Sequence, residues 1–92
     1  MPRARLRGNA REDLRKLDPD SRQVALDIIR FLSKNPGEGE VVSPLQYEID
    51  PETPRPATMY WRWVRNGRAI YVYFEIEGGE LKIFRIIPVT IM

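Results

Sequence analysis

From Tyr60 to Ile87 the side chains largely alternate between two sets with a period of two, with turns at Asn66-Gly67 and Gly78-Gly79. That period belongs to strands, and Asn-Gly between alternating runs is the strongest short hairpin signal, because a type I′ turn needs positive φ at both central residues. With Asn66-Gly67 as the turn, Arg65 faces Arg68 and the partners follow by counting outward: Val64 with Ala69, Trp63 with Ile70, Arg62 with Tyr71, Trp61 with Val72, Tyr60 with Tyr73. One face then carries Trp61, Trp63, Ile70, Val72, Phe74 and Ile76, a core wall. The other carries Tyr60, Arg62, Val64, Tyr71, Tyr73 and Glu75, an open surface of tyrosine and arginine.

Closure at Gly78-Gly79 pairs Ile76 with Leu81, Glu75 with Lys82 and Phe74 with Ile83, so apolar residues oppose apolar ones and an acid opposes a base. Continued unbroken, this register puts Arg85 on the core face and Phe84 and Ile86 on the open one. Either a bulge shifts the phase, or the second face is also covered.

Upstream, Arg3, Ala4, Arg5, Leu6 and Arg7 alternate charge with apolarity, a short strand with Ala4 and Leu6 inward. The bland alternative is an edge blunted by charge, or a frayed basic terminus. Asn9 with Glu12 fits a capping box opening a helix from Ala10 to Leu17, with Ala10, Leu14 and Leu17 as its apolar stripe. Asp18 as N-cap and Pro19 at the first helical position start a second helix, which runs to about Lys34 on the stripe Val24, Ala25, Ile28, Ile29 and Leu32. Asn35-Pro36-Gly37 stops it. Residues 36–59 read as a long Pro-rich loop, with a short edge strand expected around Leu45, Tyr47 and Ile49. The fold class is therefore α+β: an N-terminal strand and an α-helical hairpin packed on one face of an antiparallel sheet of about four strands.

Composition narrows the chemistry. Ninety-two residues, 42% hydrophobic and 30% charged, fit one small domain. No apolar run approaches a membrane span, and no hydrophobic segment follows the first charges, so a cytoplasmic location with no membrane partner is expected. Cysteine and histidine are both absent, which removes thiol chemistry, the Ser-His-Asp constellation and the commonest zinc ligands; no metal or cofactor is expected. The net charge is only +2. Its distribution says more, since Arg3, Arg5, Arg7, Arg11, Arg15 and Lys16 crowd the start while Glu38, Glu40, Glu48, Asp50 and Glu52 crowd the middle.

Glu75 and Glu77 share a strand face, but such pairs are usually a solvated edge, and with Lys82 opposite they read as structural. The stronger candidate is the basic-aromatic surface. Tyr60, Tyr71, Tyr73 and Phe84 beside Arg62 and Lys82 suit single-stranded RNA, where bases stack on rings and cations hold phosphates. Arginine can also stabilise the charge of a phosphoryl-transfer transition state. Tyr and Arg equally suit a half-buried pleat or a protein interface. Arg65 opposite Arg68 adds a like-charge pair that an anion would relieve.

LRKLDPDSRQVALDIIRFLSKNP as a helical hairpin, NGRAIYVYFEI as a central strand, and the R-x-x-Y of Arg68 to Tyr71 after a basic-aromatic strand together resemble the RelE/ParE toxin superfamily over nearly the whole chain. Trp61 and Trp63 fall where such toxins often place lysines, and residues 86–92 carry none of the arginine, tyrosine or histidine those toxins place near the C-terminus. The resemblance implies the toxin of a type II toxin–antitoxin pair, RelE-like, cutting mRNA at the ribosome. Arg68 and Arg62 would be catalytic, and Arg65, Tyr60, Tyr71, Tyr73, Lys82, Arg85, Arg3 and Arg5 would bind RNA. It also implies a cognate antitoxin protein and a hetero-oligomer with it. The alternative is a ParE-like topoisomerase inhibitor, or an interaction module without catalysis. By the hairpin count Arg68 has core-side parity, so it must curl around the tip to join the tyrosines.

Overall fold

Asn66 and Gly67 take φ of 52° and 75°, the left-handed values that a type I′ turn requires. The hairpin they close has the register that the alternation implies, from Arg65 opposite Arg68 to Tyr60 opposite Tyr73. A computed structural model describes residues 3–42 and 58–90 of the chain. The strand expected around Leu45, Tyr47 and Ile49 lies outside the described residues, as does most of the Pro-rich stretch.

In chain order the elements are β1 (Arg3–Leu6), α1 (Ala10–Lys16), α2 (Pro19–Lys34), a short 3-10 turn (Pro36–Glu38), β2 (Glu40–Val41), β3 (Met59–Arg65), β4 (Arg68–Glu77) and β5 (Glu80–Thr90). The fold is α+β, and the sheet corrects the expectation of about four antiparallel strands. Among the described residues it has five, in the order β1-β5-β4-β3-β2, and it is mixed because β1 runs parallel to β5. The stretch read as irregular after α2 begins with the 3-10 turn and then adds β2 against β3 at the far edge.

Asp18 caps α2, its carboxylate accepting from the Ser21 backbone N–H at 2.8 Å, with Pro19 in the first turn. Asn9 occupies the N-cap of α1 but makes no side-chain cap bond, so the expected capping box is not formed; Glu12 pairs with Arg15 instead. Arg22 closes the other end of α1, donating to the carbonyls of Leu14, Arg15 and Leu17 at 3.3, 3.0 and 2.9 Å. A cation there satisfies otherwise orphaned carbonyls and suits the negative end of the helix dipole.

Both helices lie on the Trp61/Trp63 face. Ala25, Ile28 and Leu32 of α2 pack with Ile70, Val72, Phe74, Leu81, Ile83 and Ile86, while Ala4, Leu6, Trp61 and Trp63 close the margins. Burying each of the larger side chains is worth roughly 1.5–3 kcal/mol. Phe31 contacts Trp61 with ring centroids 5.1 Å apart. Ile76, expected in this wall, lies near the strand end and is exposed.

Both explanations offered for Arg85 prove to apply. The register holds to Phe74 opposite Ile83 and then shifts, so that Tyr73 faces Arg85 and Val72 faces Ile86. Phe84 is the extra residue of the bulge. The shift removes Arg85 from the core face and delivers Ile86 to it, where Ile86 is buried. The second face is also partly covered: Val42 and Tyr73 form a small second core with Tyr60, Tyr71, Phe84 and Ile87 against it. Beyond the end of β1, Asp13 of α1 accepts from the Ile86 backbone N–H at 3.0 Å and from Arg85 Nε at 2.7 Å, so a carboxylate satisfies the outer edge of β5.

Candidate functional site

The alternation of β3 and β4 sends neighbouring arginines to opposite sides of the sheet, and the structure shows what each meets. Arg68 does not curl around the tip. It stays on the helix side, as its parity dictates, and its guanidinium donates to Asp18 Oδ2 at 2.9 Å and to Ser21 Oγ at 3.1 Å. Arg62 stands on the other side, directly opposite Tyr71 and hydrogen-bonded to it. The two candidate catalytic arginines therefore do not converge.

Around Arg68 lies a cleft of about 420 Å³ between the α1–α2 corner, the hairpin tip and the end of β5. Lys16, Arg65 and Arg68 supply three cations to its lining, and Asp18 and Asp20 two carboxylates. Trp63, Val24 and Ile70 form its apolar wall, and the Ser21 hydroxyl is a further polar group within it. Asp18 is held below the usual carboxylate range, chiefly because it accepts the Ser21 backbone N–H, with Arg68 adding to the effect against some opposing desolvation. It is ionised at neutral pH. An ionised carboxylate at the N-terminus of α2 matches the positive end of the helix dipole and gives Arg68 a counter-ion there.

The tyrosine face is built differently. Tyr60, Tyr71 and Tyr73 cluster with ring centroids 6.0–6.3 Å apart. Tyr60 donates its hydroxyl to Glu40 Oε2 at 2.6 Å, an acid on β2 opposite it. That bond, then burial and the charge of Glu40, push the Tyr60 phenol above its ordinary value and keep it neutral. The Tyr71 hydroxyl, bonded to Arg62, favours the charged guanidinium still more. Tyr73 is 1% exposed and so has no ring face to offer a base. An acid at one end and a buried ring at the centre make this surface a poor platform for a polyanion.

The remaining predicted residues are dispersed. Lys82 stands opposite Glu75 in register but pairs with Glu77 at 3.2 Å. Arg85 faces Tyr73 across the strands and is tied to Asp13. Arg3 lies opposite Glu80 on β1, and Arg5 pairs with Glu80 at 3.2 Å. Arg5 also lines a shallow groove along the β1 edge with Ala4, Leu6, Arg7 and Arg11. The candidate site residues are thus spread over separate places: the tip cleft with Arg65 and Arg68, the tyrosine face with Arg62, the β1 edge with Arg5, and β5, where Lys82 and Arg85 are tied to Glu77 and Asp13. Lys16, Asp18, Asp20, Ser21 and Trp63 are among the cleft residues that sequence reasoning did not assign to a site. Asp18 carried a signal as an N-cap, but nothing local in it announced Arg68.

Among the described residues no group of three or more carboxylates is placed to hold a metal ion, and no helix is long and apolar enough to cross a membrane. Comparison of the chain with models of protein families, with characterised proteins and with solved structures returns no match.

Proposed function

We propose that this chain is the toxin of a toxin–antitoxin pair, RelE-like in acting on mRNA, and that the Arg68 cleft receives the RNA backbone. The order strand, helical hairpin, connection and antiparallel meander, with the helices on one face, is the order the resemblance implies. The observation that carries the site is the position of Arg68, whose guanidinium sits in the cleft beside Arg65 and Lys16 with Trp63 forming the wall. Two guanidiniums and an ammonium hold a phosphodiester and stabilise the extra charge that develops when a 2′-hydroxyl attacks it, and an indole offers a stacking surface for an adjacent base. Arg62, on the tyrosine face, then has no part in the chemistry. The cognate partner is an antitoxin protein that covers the cleft.

A second reading is favoured by one feature. Arg68 already has a counter-ion, and acids share the cleft with the cations, an arrangement that also suits a protein surface. In that reading the chain is a ParE-like inhibitor of a topoisomerase. Controlled expression separates the two. RNA cleavage that needs ongoing translation and disappears in Arg68→Ala supports the first reading. Growth arrest with intact transcripts and altered plasmid supercoiling replaces it with the second. No arrest by the wild-type chain, with or without the neighbouring reading frame, removes both.

A further inference from the structure

Asp18 does two things with one carboxylate. One oxygen accepts the Ser21 N–H and caps α2. The other accepts from Ser21 Oγ at 3.1 Å and from Arg68 at 2.9 Å. The Arg68–Asp18 pair spans the first turn of α2 and the hairpin tip, two elements far apart in the chain, and it lies in the wall of the cleft. Both side chains remain about half exposed, at 56% and 52%. An ion pair so exposed fixes a geometry without much energy, and another anion can exchange with it.

We infer that Asp18 is the positioning residue of this cleft and its built-in competitor: it holds the Arg68 guanidinium against α2, and a phosphodiester enters by taking Asp18's place on Arg68. The inference rests on the RNA-binding reading above and deepens it. A free arginine at the tip would sweep a wide volume and oppose Arg65 across the turn. Asp18 confines it to the side where Lys16 and Trp63 lie. The same carboxylate lowers the affinity of the cleft for polyanions, so that a single exposed phosphate is not enough to fill it. Asp20 also lines the cleft but makes no bond to Arg68, which provides an internal control for charge alone.

The test uses the purified full chain and a single-stranded 2′-O-methyl RNA oligonucleotide, which binds without being cut. Asp18→Asn keeps a good N-cap but removes the charge and replaces the oxygen that accepts from Arg68 with an amide donor. It is expected to tighten binding by about two- to fivefold, the range set by breaking an exposed ion pair. Asp20→Asn is expected to give less than half that gain. In an Arg68→Ala background, Asp18→Asn is expected to change nothing. Asp18→Ser, with an equally good cap, guards against a folding defect peculiar to one variant, and circular dichroism checks both. Equal gains from Asp18→Asn and Asp20→Asn, or a gain that survives loss of Arg68, would overturn the inference. Binding that needs Arg68 but ignores Asp18 leaves the RNA reading standing and removes the positioning role. Absence of binding in every variant removes the RNA reading, and the positioning role goes with it.

Discussion

Arg62 and Arg68 belong to one hairpin and carry the same side chain, yet they meet opposite surroundings. Arg62 lies over tyrosines, bonded to Tyr71, on a face where Glu40 and a buried Tyr73 leave little for an anion. Arg68 lies in a cleft with Lys16 and Arg65, restrained by a single exposed carboxylate. The difference comes from strand parity and from what the chain lays on each side. The helical hairpin brings the N-terminus of α2 to the tip on one side, while β2 and Val42 support a tyrosine cluster on the other. Residue type alone nominates both arginines; strand parity puts them on opposite faces, and tertiary packing decides what each one meets.

The largest loss of stability is expected where the helix side is hollowed. Phe74 is fully buried between α2 and the sheet, so Phe74→Ala is expected to cost about 3–5 kcal/mol in chemical denaturation. Tyr71→Ala, half-buried on the other face, is expected to cost about 1 kcal/mol. Equal losses would mean that the two faces share the stability evenly. Next in size is Gly39, which lies against the Phe74 ring just before β2. A methyl group built there overlaps the ring and approaches Met59, so Gly39→Ala is expected to destabilise by about 1–3 kcal/mol through overpacking. A neutral result would show that the β2 edge yields freely.

A smaller effect sharpens the tyrosine side. Because the Tyr60 phenol is raised above 10.0, the stability it contributes is present in full below that pH and is lost as pH rises through the higher folded value. Glu40→Gln removes the charged acceptor, so Tyr60 is expected to ionise at lower pH and the alkaline loss of stability linked to it to become smaller. Ultraviolet titration of the phenolate band reads this directly, with Tyr60→Phe assigning the signal. An unchanged titration in Glu40→Gln would show that burial, and not the acid, sets the shift.

Much of the hairpin was legible because its signals are local. Asn66-Gly67 fixes a turn, and alternation fixes every pair from Tyr60 to Tyr73. The bulge at Phe84 was visible only as a conflict, since Arg85 cannot lie in an apolar wall, and either a phase shift or a covered second face would resolve it. The direction of β1 left no trace, because a strand that pairs with β5 across the whole chain has no turn to orient it. β2 is only two residues long, too short for a period to show. At the site, parity correctly assigned Arg68 to the helix side. The expectation that it curls toward the tyrosines came from the family resemblance, and the Arg68–Asp18 pair shows where the side chain goes instead. That pair joins residues fifty apart in the chain, beyond any local pattern.

Phosphate groups are expected to enter on the helix side of the hairpin tip and not on the tyrosine face. Titration of the isotopically labelled chain with a single-stranded 2′-O-methyl RNA oligonucleotide, followed by backbone and arginine side-chain NMR shifts, addresses it most directly. The expected result is a contiguous set of shifts at Lys16, Asp18, Ser21, Arg65 and Arg68, with Tyr60, Arg62 and Tyr71 unmoved. Shifts centred on Arg62 and the tyrosines, with the Arg68 signal unchanged, would contradict it.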